Sequence, residues 1–155
     1  MAQLKMSRTA SENEYLHRDF HGALSVGLEY LHKRYGEEAV RQYLWQFARK
    51  FYAPLTQDLN ERGLSAIEEH LREIYALEGG AIRITSSADE LRFEVETCPA
   101  VSHLRGKGYP VARLFRETME TVYRAICHET PFSTRLEHYD EQTGRSTLRF
   151  FRSDP

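Results

Sequence analysis

The sequence predicts an α+β domain: N-terminal helices, about three of them, packed on a four-stranded antiparallel sheet built as hairpin, helix, hairpin. Three observations predict it. Apolar residues recur at spacings of three and four through the first half of the chain, which is the period of helices with one buried face. The period then drops to two, with Ile82 and Ile84 in one run and Leu91, Phe93 and Val95 in the next. After a further helical stretch, two polar-apolar runs flank a turn containing Gly144, which reads as a second hairpin.

Taken in order, residues 1–13 are polar and without apolar period, and read as a flexible N-terminal arm with Ser11 as a candidate helix cap. Residues 14–155 read as one domain. From Glu14 to Tyr35, Leu16, Phe20, Leu24, Leu28 and Leu31 form an apolar stripe that Gly36 ends. A second helix starts near Glu37 with Val40, Leu44, Phe47, Ala48 and Phe51 on one face. Pro54 should kink or break it, leaving Leu55 to Arg62 as a further helical piece closed by Gly63. Ser65 and Glu68 have capping-box spacing at the head of the next helix, whose face is Ile67, Leu71, Ile74 and Tyr75 and whose end is Gly79 and Gly80. A turn over residues 86–89 joins the first two strands. Cys98 and Pro99 stop the second strand, an irregular Gly106 to Gly108 loop follows, and Pro110 should open a helix striped by Val111, Leu114, Phe115, Met119, Val122 and Ile126. Thr134 to Tyr139 and Ser146 to Arg152 complete the sheet.

Length and composition bound the function classes. With 155 residues, 41% hydrophobic and 28% charged, the chain is long enough to bury a core without metals or disulfides as staples. Its net charge is −2 with both signs interspersed, so no electrostatic argument favours nucleic acid or an anionic membrane. The absence of a long apolar run and of a secretory leader pattern leads to the expectation of a cytoplasmic protein. Two cysteines, Cys98 and Cys127, fit a reducing compartment better than a structural disulfide.

Cys98 is the first candidate for chemistry. A strand that stops at Cys98, with proline next, places the thiol where unpaired helix N–H groups would stabilise a thiolate and lower its pKa. Against this, a free cysteine is more often a buried apolar filler. His103, five residues on, would supply the base of a Cys/His pair. His17 and His21 stand one helical turn apart, with Glu14 three residues before His17, so they read either as ligands, together with Cys98, for a transition metal such as zinc or iron, or as core histidines. Phe20, Tyr43 and Phe47, with His17 and His21, are candidates for the wall of a small-molecule pocket, although aromatic sets more often form plain core. Trp45, Phe51 and Tyr52 belong to the same aromatic group, Cys127 and His128 read as buried and solvated neighbours, and His70 reads as a surface residue. No nucleophile elbow, phosphate loop, dinucleotide fingerprint or zinc framework is present in the sequence.

Phe93, Val95, Cys98 and Pro99, the glycine loop, the Leu114 and Phe115 helix running to Cys127 and the Gly144 hairpin together resemble the L-2-amino-thiazoline-4-carboxylic acid hydrolase-like family, over roughly Leu16 to Phe151. The same order of elements is similar to 4-vinyl-reductase-like small-molecule-binding domains. The first resemblance implies a hydrolase-like fold with Cys98 in the site, suited to opening a cyclic thiazoline C=N or C–S linkage. The family pattern also carries a cysteine near the end of the last strand, and Leu148 to Arg152 has none. Three functions therefore stand side by side: a small-metabolite hydrolase using Cys98 and His103, a non-catalytic binding module with an apolar cavity, and a metal protein using His17, His21 and Cys98. A small-molecule partner is common to the first two, and a homodimer is compatible with all three although no interface is identified.

Overall fold

The structure, a computed structural model, describes residues 19–154. The expected arm over residues 1–13, the Ser11 cap, the helix start at Glu14 and the candidate His17 lie outside the described residues. Within them the chain is α+β, with six helices and one four-stranded antiparallel sheet. The order is α1 (Asp19–Tyr35), α2 (Glu37–Phe51), α3 (Ala53–Arg62), α4 (Leu64–Glu78), β1 (Ala81–Ser86), β2 (Glu90–Thr97), α5 (Pro99–Gly106), α6 (Glu117–Cys127), β3 (Phe132–Tyr139) and β4 (Ser146–Arg152).

This corrects the expected layout in two places. Four helices precede the sheet rather than about three: Pro54 breaks the run as expected, and the helical piece after it, closed by Gly63, is a separate helix, α3, with Pro54 in its first turn. Two helices, not one, separate the hairpins: Pro99 starts the short α5, and α6 begins at Glu117 instead of Pro110. The delay has a local cause. The buried Ser25 hydroxyl of α1 donates to the Pro110 carbonyl at 3.0 Å and accepts the Ala112 N–H at 2.8 Å, which holds residues 110–112 out of a helix. The expected capping box is also absent: Ser65 Oγ donates to the Arg62 carbonyl, while Glu68 accepts from Arg72 and Ser86.

The sheet order is β1-β2-β4-β3, so the two hairpins join through their second strands. Its register places Leu91 opposite Phe150, Phe93 opposite Leu148 and Val95 opposite Ser146. These six residues are all buried and form the inner face. The outer face carries Arg83, Arg92, Glu94, Glu137 and Arg149, joined by ion pairs that include Arg92 to Glu137 at 2.8 Å and Arg149 to Glu90 at 3.0 Å. The alternation legible in β2 is thus the boundary between a core face and a solvated one. α2 and α6 pack together, and α6 also lies on β3. Among the described residues, no helix is long and apolar enough to cross a membrane.

Candidate functional site: an aromatic cavity ending at Cys98 and Ser146

A cavity of about 440 Å³ opens between the helices and one end of the sheet. Helices α1, α2 and α4 contribute at helical spacing. α1 gives Phe20, His21 and Leu24; α2 gives Tyr43, Leu44, Phe47 and Phe51; α4 gives His70, Ile74, Leu77 and Glu78. α6 and the turn before it add Phe115, Thr118, Met119, Val122 and Tyr123. The far wall is built where strands end, by Cys98, Pro99, Tyr139, Gly144 and Ser146.

Of the residues singled out in the sequence, His21, Phe20, Tyr43, Phe47 and Cys98 all line this one cavity. Four of them come from the first two helices and are remote in sequence from Cys98, so the fold brings them together. His103 does not line it. Cys98 precedes the first turn of α5, and five further residues at about 100° each carry His103 roughly 140° around the axis from that position. The inward positions of α5 go instead to Ala100, Val101 and Leu104, which are buried.

Cys98 occupies the predicted junction, in extended conformation (φ −80°, ψ 114°) immediately before Pro99. Its expected low pKa does not follow. Burial, which penalises the thiolate, pushes the thiol up; the amides of Ala100 and Val101 act in the opposite sense, but neither makes a well-formed cap to the sulfur, and the Glu78 charge adds to the rise. The residue is a protonated thiol at neutral pH. Gly144 sits against it. With φ of 73°, Gly144 occupies the left-handed region, and a Cβ there would stand 2.7 Å from Cys98 Cβ and 2.8 Å from Val101 Cγ2. The glycine of the second hairpin is therefore required twice, by its own backbone and by the cysteine.

The polar groups of the cavity divide into two sets. Near α1 and α4, His21 Nε2 lies 3.1 Å from Glu78 Oε1, both side chains being largely buried. His70, expected at the surface, faces the cavity half-buried; its pKa is lowered by that burial, so its ring is neutral at physiological pH. It meets the Tyr52 ring edge-on at 5.7 Å, and Tyr52 in turn contacts Phe51 at 4.9 Å and Phe47 at 6.1 Å, making a continuous aromatic wall. At the sheet end, burial holds Tyr75, Tyr123 and Tyr139 protonated well beyond the usual tyrosine range. Tyr139 and Ser146 are direct cross-strand neighbours in the hairpin. Ser146 is only 3% exposed and its hydroxyl has no hydrogen-bond partner.

From the sequence, Tyr75, Tyr139, Gly144 and Ser146 read only as parts of the fold and His70 as a surface residue, and Glu78 was not singled out. For α4 a signal existed: Ile74 of the core stripe stands four residues after His70, three before Leu77 and four before Glu78, so these side chains share one side of the helix. For Ser146 none did, because an unpaired hydroxyl is a property of the packed chain alone.

The metal expectation rests on His17, which lies outside the described residues, together with His21 and Cys98. Among the described residues no group of three histidine, cysteine, aspartate or glutamate side chains is arranged to hold an ion. Cys98 and Cys127 are both free thiols, as expected from the sequence. No protein-family model matches the chain, and no curated protein matches it.

Proposed function

We propose that this chain is a small-molecule-binding module, of the kind its element order shares with 4-vinyl-reductase-like domains, taking a small and largely apolar ligand into the cavity ending at Cys98 and Ser146. The observation that carries this reading is the lining: aromatic and aliphatic side chains from five helices around a volume of about 440 Å³, within the size range of small-ligand pockets, with few polar groups. Four large apolar residues at its mouth, Phe20, Tyr43, Phe51 and Leu77, are between 45% and 58% exposed, which is costly surface unless a ligand covers it.

A hydrolase-like enzyme is the second reading, supported by one specific observation: the Cys98 thiol shares its cavity with the imidazoles of His21 and His70. Two features rank it lower. A buried, protonated thiol is a weak nucleophile. In addition, no lysine or arginine lines the cavity among the described residues, so the carboxylate of a thiazoline-carboxylate substrate would enter without a fixed counter-charge.

The test is a titration with 1-aminoanthracene, an uncharged fluorophore whose emission strengthens in apolar surroundings. Saturable binding at one site, lost in Ile74→Trp where the indole fills the cavity, is expected. A folded Ile74→Trp protein that binds the probe as well as the parent would remove this proposal.

A further inference from the structure

We infer that the sheet end of the cavity is a hydrogen-bonding subsite, in which the Ser146 hydroxyl donates to a hydroxyl or carbonyl oxygen on an uncharged aromatic ligand. The inference deepens the binding reading above and rests on it. Its foundation is the orphan hydroxyl. A buried polar group without a partner is rare, so one carried by a residue of the cavity wall marks where a partner belongs. Val95 on one neighbouring strand and Tyr139 on the other stand opposite Ser146, and neither gives its hydroxyl a hydrogen bond.

The rest of the wall narrows the ligand's chemistry. Cys98 and Tyr139 beside this end both keep their protons, and Gly144 supplies no side chain, so the subsite is polar but uncharged. An anion finds no lysine or arginine among the described lining residues. A cation finds Glu78 already engaged by His21. What fits is a molecule with an aromatic body against Tyr43, Phe47, Phe51 and Tyr52 and one neutral oxygen directed at Ser146.

Matched probes test this on the intact chain. 2-Naphthol and 2-methylnaphthalene have nearly the same shape, differ in one oxygen, and are both uncharged at pH 7. The parent protein is expected to bind 2-naphthol more tightly, although 2-methylnaphthalene is the more hydrophobic of the two. Ser146→Ala should weaken 2-naphthol roughly five- to tenfold and change 2-methylnaphthalene less than twofold, the size expected for one neutral hydrogen bond. Because the substitution deletes an unpaired buried hydroxyl, its thermal midpoint should not fall below the parent's.

The subsite is overturned if the parent prefers 2-methylnaphthalene, or if Ser146→Ala leaves 2-naphthol binding unchanged or lowers both probes equally. Binding of neither probe, with 1-aminoanthracene bound, counts against the subsite alone. Failure of all three probes removes the binding reading with it.

Discussion

Cys98 keeps its proton for a reason that lies outside its own neighbourhood in sequence. The alternation of Leu91, Phe93 and Val95 and the proline at 99 locate the thiol correctly at a strand-to-helix junction. They do not reveal that five helices close a cavity over it, and desolvation there outweighs the two nearby amides. Alkylation of Cys98 with iodoacetamide should therefore titrate with a midpoint above that of free cysteine, and slow further when 1-aminoanthracene is bound. A midpoint below it would revive the nucleophile. His103 shows the complementary limit: short separation in sequence suggested a pair, whereas helix rotation carries the ring away. Gly144 allows a sharper expectation. An alanine there meets both a left-handed backbone, worth about 1–2 kcal/mol, and the Cys98 side chain. The unfolding free energy of Gly144→Ala should fall by roughly 2–4 kcal/mol, and Cys98→Gly in the same chain should restore part of it by removing the clash.

The elements were legible to the degree that their patterns were local. α1, α2, α4 and both hairpins follow from apolar spacing and from their end glycines, since each buries one face regardless of partner. The late start of α6 was not legible, because a hydroxyl on α1, 85 positions away, holds the chain after Pro110 out of a helix. The α2 to α6 contact contains a comparable long-range device. Glu117, 4% exposed, accepts from Arg41 at 3.1 Å and from Thr121 at 2.6 Å. Arg41 itself is held further toward its charged form by Glu37 first and Glu117 second. Arg41→Met would strand the Glu117 carboxylate. Because Arg41 is partly exposed, the expected loss is about 2 kcal/mol in urea unfolding, less than the ~3–5 kcal/mol of a fully buried pair. Glu117→Gln together with Arg41→Met should recover most of it, which a double-mutant cycle would measure.

At the scale of the whole molecule, the buried titratable groups shape stability against pH on both sides. His70 has its pKa lowered by burial, so the stability it contributes is present above its unfolded value of about 6.5 and is lost as pH falls below it. Cys98 is raised and Cys127 is pushed up to about 12, both by burial; their contribution is present below the unfolded value of about 8.5 and is lost as pH rises toward about 12. Unfolding free energies at pH 7, 8, 9 and 10 should therefore decline progressively over the upper half of that series. The decline should be shallower in Cys127→Ala, and His70→Gln should flatten the acid side. An alkaline limb unchanged in Cys127→Ala would contradict the burial assigned to that thiol.

The cavity walls come from α1, α2, α4, the head of α5, α6 and the second hairpin. A guest seated there would hold together segments that span almost the entire described chain, and would bind nothing once that chain unfolds. At a hundredfold excess over its dissociation constant such a guest adds about 2.7 kcal/mol to folding. Supply of such a guest would then set how long each copy of the protein escapes proteolysis.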